Sequence, residues 1–483
     1  MRRWRALGLA ILVALVGACS TGPRGALPGQ PAPIAAISSA IPRGQLVDRV
    51  AAHTDPHRTY ALYLPASCTA EHRCPTLFIL DPRGRGSEAA GVFREGAEKY
   101  GWILASSNDT SSDGPWQPNV LAMKAMLADA DGQLPADPRR LYIAGFSGTA
   151  RGAWALALGL APAVAGVIVA SGGAPVESPP DASLPFAVFG TTGLHDFNFR
   201  EMQTLATDLD ALGVAHRFET FEGDHSWPPP ALATEALGWM ELQAMRGGRR
   251  ALDRDLANSM LARWLAEAKG LESDGKWLEA LHRNEQIVRD FDRWRAVPEA
   301  RDAVARLRAD PRTAAALAER DRVAAWEAAE RQEVERLVEL LRSSSPNRLG
   351  EARGQIEPAI ERWRANAIDT TRPLDAQAAA RVLEHLASFL GFYLPRELRQ
   401  RRDFDRATTA LELALQIHDD RPALWYNLAC ARARAGASET ALEALERALS
   451  LGFEDRDLLG SDPDLDGLRS SLRFQKLAAS LSH

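Results

Sequence analysis

The sequence predicts an α/β fold, a doubly wound sheet, followed by an all-α half. Two patterns and one length carry this. From residue 45 to 245, short runs rich in β-branched and aromatic residues alternate with helical stretches. After Arg249 the strand-like runs stop, and Ala, Leu, Arg and Glu recur at helical spacing. The 483 residues allow two to four domains at roughly 100–200 residues each.

The strand candidates in order are Tyr60–Leu64, Thr76–Leu80, Trp102–Ala105, Leu141–Ala144, Gly166–Ala170, Phe186–Phe189 and His216–Phe221. Several are near-continuous apolar runs, as strands buried on both faces of a parallel sheet must be. Helical stretches at Glu88–Tyr100, Val120–Ala130, Ala150–Leu160 and Phe199–Leu212 lie between most of them. Residues 45–245 therefore read as one α/β domain, and 250–483 as a helical one. In the helical half a period near 34 emerges when helix pairs are aligned. The clearest unit starts at Pro422, with Trp425, Leu428, Ala429, Gly436, Ala441, Leu445 and Ala448. Its offsets resemble the tetratricopeptide repeat, in which small residues let two helices approach and large ones fill between them. The preceding unit keeps a second helix (Phe404, Ala407, Leu411, Ala414), but Pro395 interrupts its first. A third candidate begins near Leu261, with Trp264, Ala268, Gly275, Trp277 and Ala280. Arg312–Arg342 reads as one long charged helix outside the repeat, with Val323, Trp326, Val334, Leu337 and Leu341 as its apolar stripe.

Residues 1–18 read as an address rather than as fold. Arg2, Arg3 and Arg5 precede an apolar run too short to span a bilayer. It ends Leu15-Val16-Gly17-Ala18-Cys19, which resembles the lipobox of bacterial lipoproteins. The resemblance implies lipidation of Cys19, and Ser20 after it implies an envelope protein of the outer membrane facing the periplasm. Residues 19–44, rich in Pro, Gly, Ser and Ala, read as a tether. An oxidising compartment suits a local disulfide between Cys68 and Cys74, and Cys430 reads as a small core residue. No CxxC or Cys/His spacing suggests a metal, and no cofactor motif is present. The net charge of −6, from 57 basic and 63 acidic residues, argues against a nucleic-acid partner, which needs a basic face.

The strongest chemical signal is Leu141-Tyr142-Ile143-Ala144-Gly145-Phe146-Ser147-Gly148-Thr149. A strand runs through a tight Gly-x-Ser-Gly turn into a helix, the geometry that exposes a nucleophilic serine. Gly145 and Gly148 leave room for it, and the Gly148 amide is aimed where an oxyanion forms. The usual pattern has a second glycine where Thr149 stands, and a β-branched residue there is expected to crowd helix against strand. An acid and a histidine follow in order. Asp196 lies on the loop after the Phe186–Phe189 run, and His225 on the loop after His216–Phe221. Serine needs a neutral imidazole to take its proton, and the imidazole needs a carboxylate to fix its tautomer. His195 and Asp224 are neighbouring substitutes of lower rank. Backbone amides of Arg83 or Gly84, after the Thr76–Leu80 strand, are the candidates for a second oxyanion donor. The side chains of Arg83 and Arg85 either meet an anionic substrate group or are solvated. Trp116 and Trp227 are candidates for a substrate pocket, with plain packing as the alternative.

The assembled stretches, Leu80–Gly86, Gly145–Arg151, Gly190–Asn198 and Glu222–Pro228, resemble esterase-like α/β-hydrolases related to polyhydroxybutyrate depolymerases and feruloyl esterases. A hydrolase of this kind followed by tetratricopeptide-like helices also resembles certain bacterial proteins of that architecture. The resemblance implies a lipid-anchored serine hydrolase acting on a small-molecule or polymeric ester, with a protein partner for the helical half. The alternatives are a catalytically inactive hydrolase-fold scaffold and a serine exopeptidase. The latter ranks last because no β-rich half accompanies the α/β domain.

Overall fold

A computed structural model describes residues 41–480, apart from 113, 293, 346 and 347. Cys19, the segment before it and most of the tether lie outside the described residues. The division into two compact units falls between Ala314 and Ala315.

The first unit is built on one eight-stranded sheet. Its strands are β1 (Leu46–Ala51), β2 (Thr59–Tyr63), β3 (Cys74–Leu80), β4 (Ile103–Ser107), β5 (Ala136–Phe146), β6 (Val164–Ala170), β7 (Ala187–Gly193) and β8 (His216–Phe221). They are ordered β1-β2-β4-β3-β5-β6-β7-β8. β2 runs antiparallel to β1 and β4, and every other pairing is parallel. Seven of these strands match the expected runs. β1 was not expected, because it is an edge strand that buries only Val50 and carries exposed Asp48 and Arg49.

Parallel strands need crossovers, and the helices supply them. These are α1 (Gly86–Tyr100), α2 (Gln117–Gly132), α3 (Gly148–Gly159), α4 (Phe199–Leu212) and α5 (Pro230–Arg246). Alternate residues of one strand face opposite cores. Phe78, Leu80, Ile143 and Val169 meet Met123 of α2, Trp154 of α3 and Leu205 of α4. Leu77, Ile79, Tyr142 and Phe189 meet Phe93 of α1 and Leu237 and Trp239 of α5. Cys68 and Cys74 form a disulfide across the β2–β3 loop. This is the α/β-hydrolase architecture the sequence predicts, with its strand-to-helix elbow between β5 and α3.

The unit does not stop at residue 245. Helices α6 (Arg254–Ser273), α7 (Trp277–Phe291) and α8 (Pro298–Ala309) belong to it. Met260, Trp264, Ile287, Phe291 and Ala300 join the core on the α5 face of the sheet. The fully buried Arg217 of β8 lies over the Trp264 ring at 4.0 Å and bonds Glu219 at 2.8 Å and Glu235 at 2.6 Å. Trp239 donates to Asp290 at 3.0 Å. The helix pair that begins near Leu261 therefore packs on the α/β core, and the expected boundary at 245–250 falls inside this unit.

The second unit is helical. It holds α9 (Pro311–Ser343), across whose first turn the division falls, then α10 (Leu349–Ala367), α11 (Pro373–Ser388), a π-helical turn (Phe389–Tyr393) and α12 (Leu394–Gln400). It continues with α13 (Phe404–Ile417), α14 (Pro422–Arg434), α15 (Ser438–Ser450), α16 (Arg456–Ser461), a 3₁₀ turn (Pro463–Leu468) and α17 (Leu472–Ser480). Val334, Leu337 and Leu341 of the long charged helix are buried with Trp363, Leu386, Leu411, Leu428 and Leu445. The helix pair from Pro422 forms as its spacing predicts, and Gly436 makes its turn at φ +85°. The π turn stands where Pro395 breaks the repeat. A proline ring clashes with the carbonyl four residues back, and a widened turn relieves this. Burial pushes the Cys430 thiol pKa up.

Candidate active site

Three loops at the carboxyl ends of the parallel strands β5, β7 and β8 bring the predicted residues together. Ser147 sits between β5 and α3 at φ 55° and ψ −124°. That conformation costs a non-glycine residue about 1–3 kcal/mol, so the surroundings must enforce it. The Ser147 amide donates to the Ala170 carbonyl at 2.8 Å, and its own carbonyl accepts from Ala150 at 3.1 Å. A Cβ at Gly145 would lie 2.3 Å from the Thr149 carbonyl, and one at Gly172 2.3 Å from the Ser147 carbonyl. The elbow closes only because both positions are bare.

Asp196 follows β7 and is fully buried. Its Oδ1 accepts from the Asn198 amide at 2.7 Å. Asn198 in turn donates to the Ser171 carbonyl at 2.8 Å, which fixes the loop to the end of β6. His225 follows β8. Its Nδ1 lies 3.0 and 3.1 Å from the two Asp196 oxygens, and its Nε2 lies 2.8 Å from Ser147 Oγ. A carboxylate only accepts, so Nδ1 carries the proton and Nε2 faces the serine hydroxyl as an acceptor. The imidazole packs against two rings, Phe146 at 4.7 Å and Phe197 at 4.3 Å. The acid and histidine loops are also joined directly, Leu194 donating to Phe221 at 2.9 Å and His195 to Gly223 at 3.0 Å. His195 and Asp224, the lower-ranked substitutes, pair with each other at 3.8 Å, with Glu222 also 3.8 Å from the imidazole.

The oxyanion side differs from expectation. Gly148 opens α3, so its amide is among the four that lack an intrahelical acceptor. The Arg83 amide, however, donates to Asp81 Oδ1 at 2.8 Å, and the Gly84 amide donates to the Asp81 carbonyl at 3.2 Å. Both predicted second donors are thus turned into their own loop. Asp81-Pro82-Arg83 is an Asx-turn sequence, in which the carboxylate captures the amide two residues on. Gly84 serves the turn itself, at φ +67° and with the Asn108 carbonyl 2.5 Å from where a Cβ would stand.

Two further residues hold this loop. Thr149, fully buried, does not crowd the elbow. Its hydroxyl lies 2.5 Å from the Leu80 carbonyl and 2.8 Å from the Phe146 carbonyl, and accepts from the Phe146 amide at 3.2 Å. It ties the serine turn to the end of β3. Trp227 donates from Nε1 to Asp81 Oδ2 at 2.9 Å and packs against Phe93 and Phe146 at 5.7 and 5.6 Å. Its indole is a clasp between the His225 loop and the Asp81 loop. Trp116 stands on α3, its ring 1.8 Å from where a Cβ on Gly152 would be. For both tryptophans the contacts seen are packing and clasping. Asp81, Thr149, Phe146 and Phe197 were not assigned roles in holding the site. Only Asp81 had a legible signal, its Asx-turn pattern. Among the described residues, no group of three His, Cys, Asp or Glu side chains could hold a metal ion.

No family model matches the chain. A chloroplast protein of Arabidopsis thaliana is 44% identical over 52 residues, 11% of this chain and 16% of that protein. Solved structures are similar over the α/β part. A thermostable esterase is 18% identical with a TM-score of 0.33, covering 41% of this chain and 61% of its own. A substrate-bound, fluorophosphonate-binding serine hydrolase of Staphylococcus aureus is 14% identical with a TM-score of 0.33, covering 41% and 99%. A ferulic acid esterase is 17% identical with a TM-score of 0.32, covering 41% and 97%. The chain thus spans less than a fifth of that curated relative and under two thirds of that thermostable esterase.

Proposed function

We propose that this protein is a serine hydrolase acting on carboxylic esters. The observation that carries the reading is the unbroken relay from Asp196 through His225 to Ser147 Oγ, at 3.0 and 2.8 Å. Ser147 attacks the carbonyl while His225 Nε2 takes its proton. The same proton then passes to the leaving alkoxide, and the acyl-serine is released by water that His225 activates in turn. Asp196 holds the imidazole and stabilises its cation. The Gly148 amide faces the developing oxyanion. Hydrolysis of a p-nitrophenyl ester by the full chain, beside Ser147→Ala, tests this. A loss of at least about a thousandfold is expected, and turnover that survives the substitution overturns the assignment.

A second reading is a catalytically inactive scaffold. It is supported by the capture of the Arg83 and Gly84 amides by Asp81, which leaves the oxyanion one donor of the usual two. Labelling of the folded protein by a fluorophosphonate at Ser147 separates the two readings. We read Cys19 as the site of lipid attachment, holding the protein in the envelope with the helical unit open to a protein partner. Incorporation of labelled palmitate that is lost in Cys19→Ala tests the anchor, and co-purification from solubilised envelope tests the partner.

A further inference from the structure

The backbone of the loop after β3 is held by several hydrogen bonds. Thr110 donates to the Asp81 carbonyl at 2.9 Å, and the Ser112 amide to the Pro82 carbonyl at 3.0 Å. Asp81 uses both oxygens, accepting from the amides of Arg83 and Arg85 and from Trp227. Arg85 is committed too, its Nε 3.4 Å from Asp81 and its Nη1 2.9 Å from Glu88. Arg83 is different. Its amide is held, but its side chain is exposed, and among the described residues its guanidinium meets no carboxylate and no hydrogen-bond acceptor. β3 neighbours β5 with Leu80 opposite Gly145, so this loop leaves the sheet beside the elbow that carries Ser147. The other wall carries the opposite sign. Glu222 and Asp224, both exposed, stand on the His225 loop.

We infer that Arg83 is a specificity residue that receives a carboxylate on the substrate, so that the preferred esters are anionic close to the scissile carbonyl. The inference rests on the serine hydrolase reading. A guanidinium offers a carboxylate two parallel donors. The backbone beneath it is already ordered, so pairing immobilises only one side chain. The acidic residues on the histidine wall repel the same anion, which fixes its orientation in the cleft.

The test uses the full chain and two pairs of esters, with rates corrected for spontaneous hydrolysis. 4-Nitrophenyl hemisuccinate against 4-nitrophenyl acetate places the carboxylate on the acyl side. 4-Acetoxybenzoate against phenyl acetate places it on the alcohol side. One anionic ester is expected to exceed its neutral partner in kcat/KM by about tenfold. Arg83→Gln erases most of that ratio, Arg83→Lys keeps part of it, and added salt narrows it. The inference is overturned if neither anionic ester is preferred, or if the preference survives Arg83→Gln. Turnover of the neutral esters with fluorophosphonate labelling but no charge preference removes this inference alone. Absence of both turnover and labelling removes the hydrolase reading, and this inference with it.

Discussion

Replacing Thr149 by glycine restores the usual Gly-x-Ser-x-Gly pattern, and the structure predicts that it damages the protein. The hydroxyl of Thr149 reaches the Leu80 and Phe146 carbonyls in a fully buried position. Removing it leaves a buried acceptor without a donor, at about 1–3 kcal/mol. Two buried carbons are lost as well, at about 0.8 kcal/mol each. Glycine in the first turn of α3 adds a few tenths of a kcal/mol. The sum is about 3 kcal/mol or more. A domain of this size shifts by roughly 2–4 °C per kcal/mol, so the α/β unit should melt roughly 6–12 °C lower. Thr149→Ser, which keeps the hydroxyl and loses one methyl, should cost only about 1 kcal/mol. Calorimetry of the full chain reads both, and ester turnover on the same samples reads the loosened Asp81 loop. A Thr149→Gly variant that melts at or above the parent temperature refutes the reasoning, since it means that the side chain crowds the elbow.

Three further outcomes are expected. Trp227→Phe keeps the ring packing but strips Asp81 Oδ2 of its donor. It should lower stability by about 1.5–3 kcal/mol and reduce kcat/KM by roughly tenfold, read by urea unfolding and by turnover. Asp196→Asn leaves the fold intact but forces the wrong tautomer on His225, and kcat should fall by about 10⁴. His216 is buried at the start of β8, with Val214, Asp210 and Arg289 as its partners. Burial first, and the Arg289 charge second, lower its pKa to about 4. The unfolded chain therefore binds the proton first as pH falls. The stability held above pH 6.5 is lost progressively towards pH 4. Urea unfolding at pH 7 and pH 5 should show this loss, with a smaller difference in His216→Asn.

The sheet and the relay were legible because each has a local signature. Strands such as Cys74–Leu80 bury every residue, so their apolar runs stand out. The elbow demands bare neighbours around Ser147, and the acid and histidine each follow a strand in chain order. Leu46–Ala51 left no such mark, because an edge strand mixes charge with a single buried valine. The placement of α6 to α8 was hidden for another reason. Trp264, Ala268 and Ala280 have the spacing of a helix pair whether that pair packs on another repeat or on Arg217 of β8. Which surface it meets is decided by tertiary contact alone. The same holds for Thr149, whose hydroxyl finds its partner on a strand 69 residues away.

Asp81 and Trp227 are 146 residues apart, yet one hydrogen bond makes each the other's partner. A lineage that loses the indole first leaves Asp81 Oδ2 without its donor, and one that loses the carboxylate first leaves the Trp227 N–H without its acceptor. Either intermediate should be less stable than both ends, so the two positions are expected to be exchanged together or not at all. Natural variants of this chain can be sorted on that pair. Those with a neutral residue at 81 should also lack the tryptophan at 227, and in them the Arg83 amide is free to turn towards Ser147.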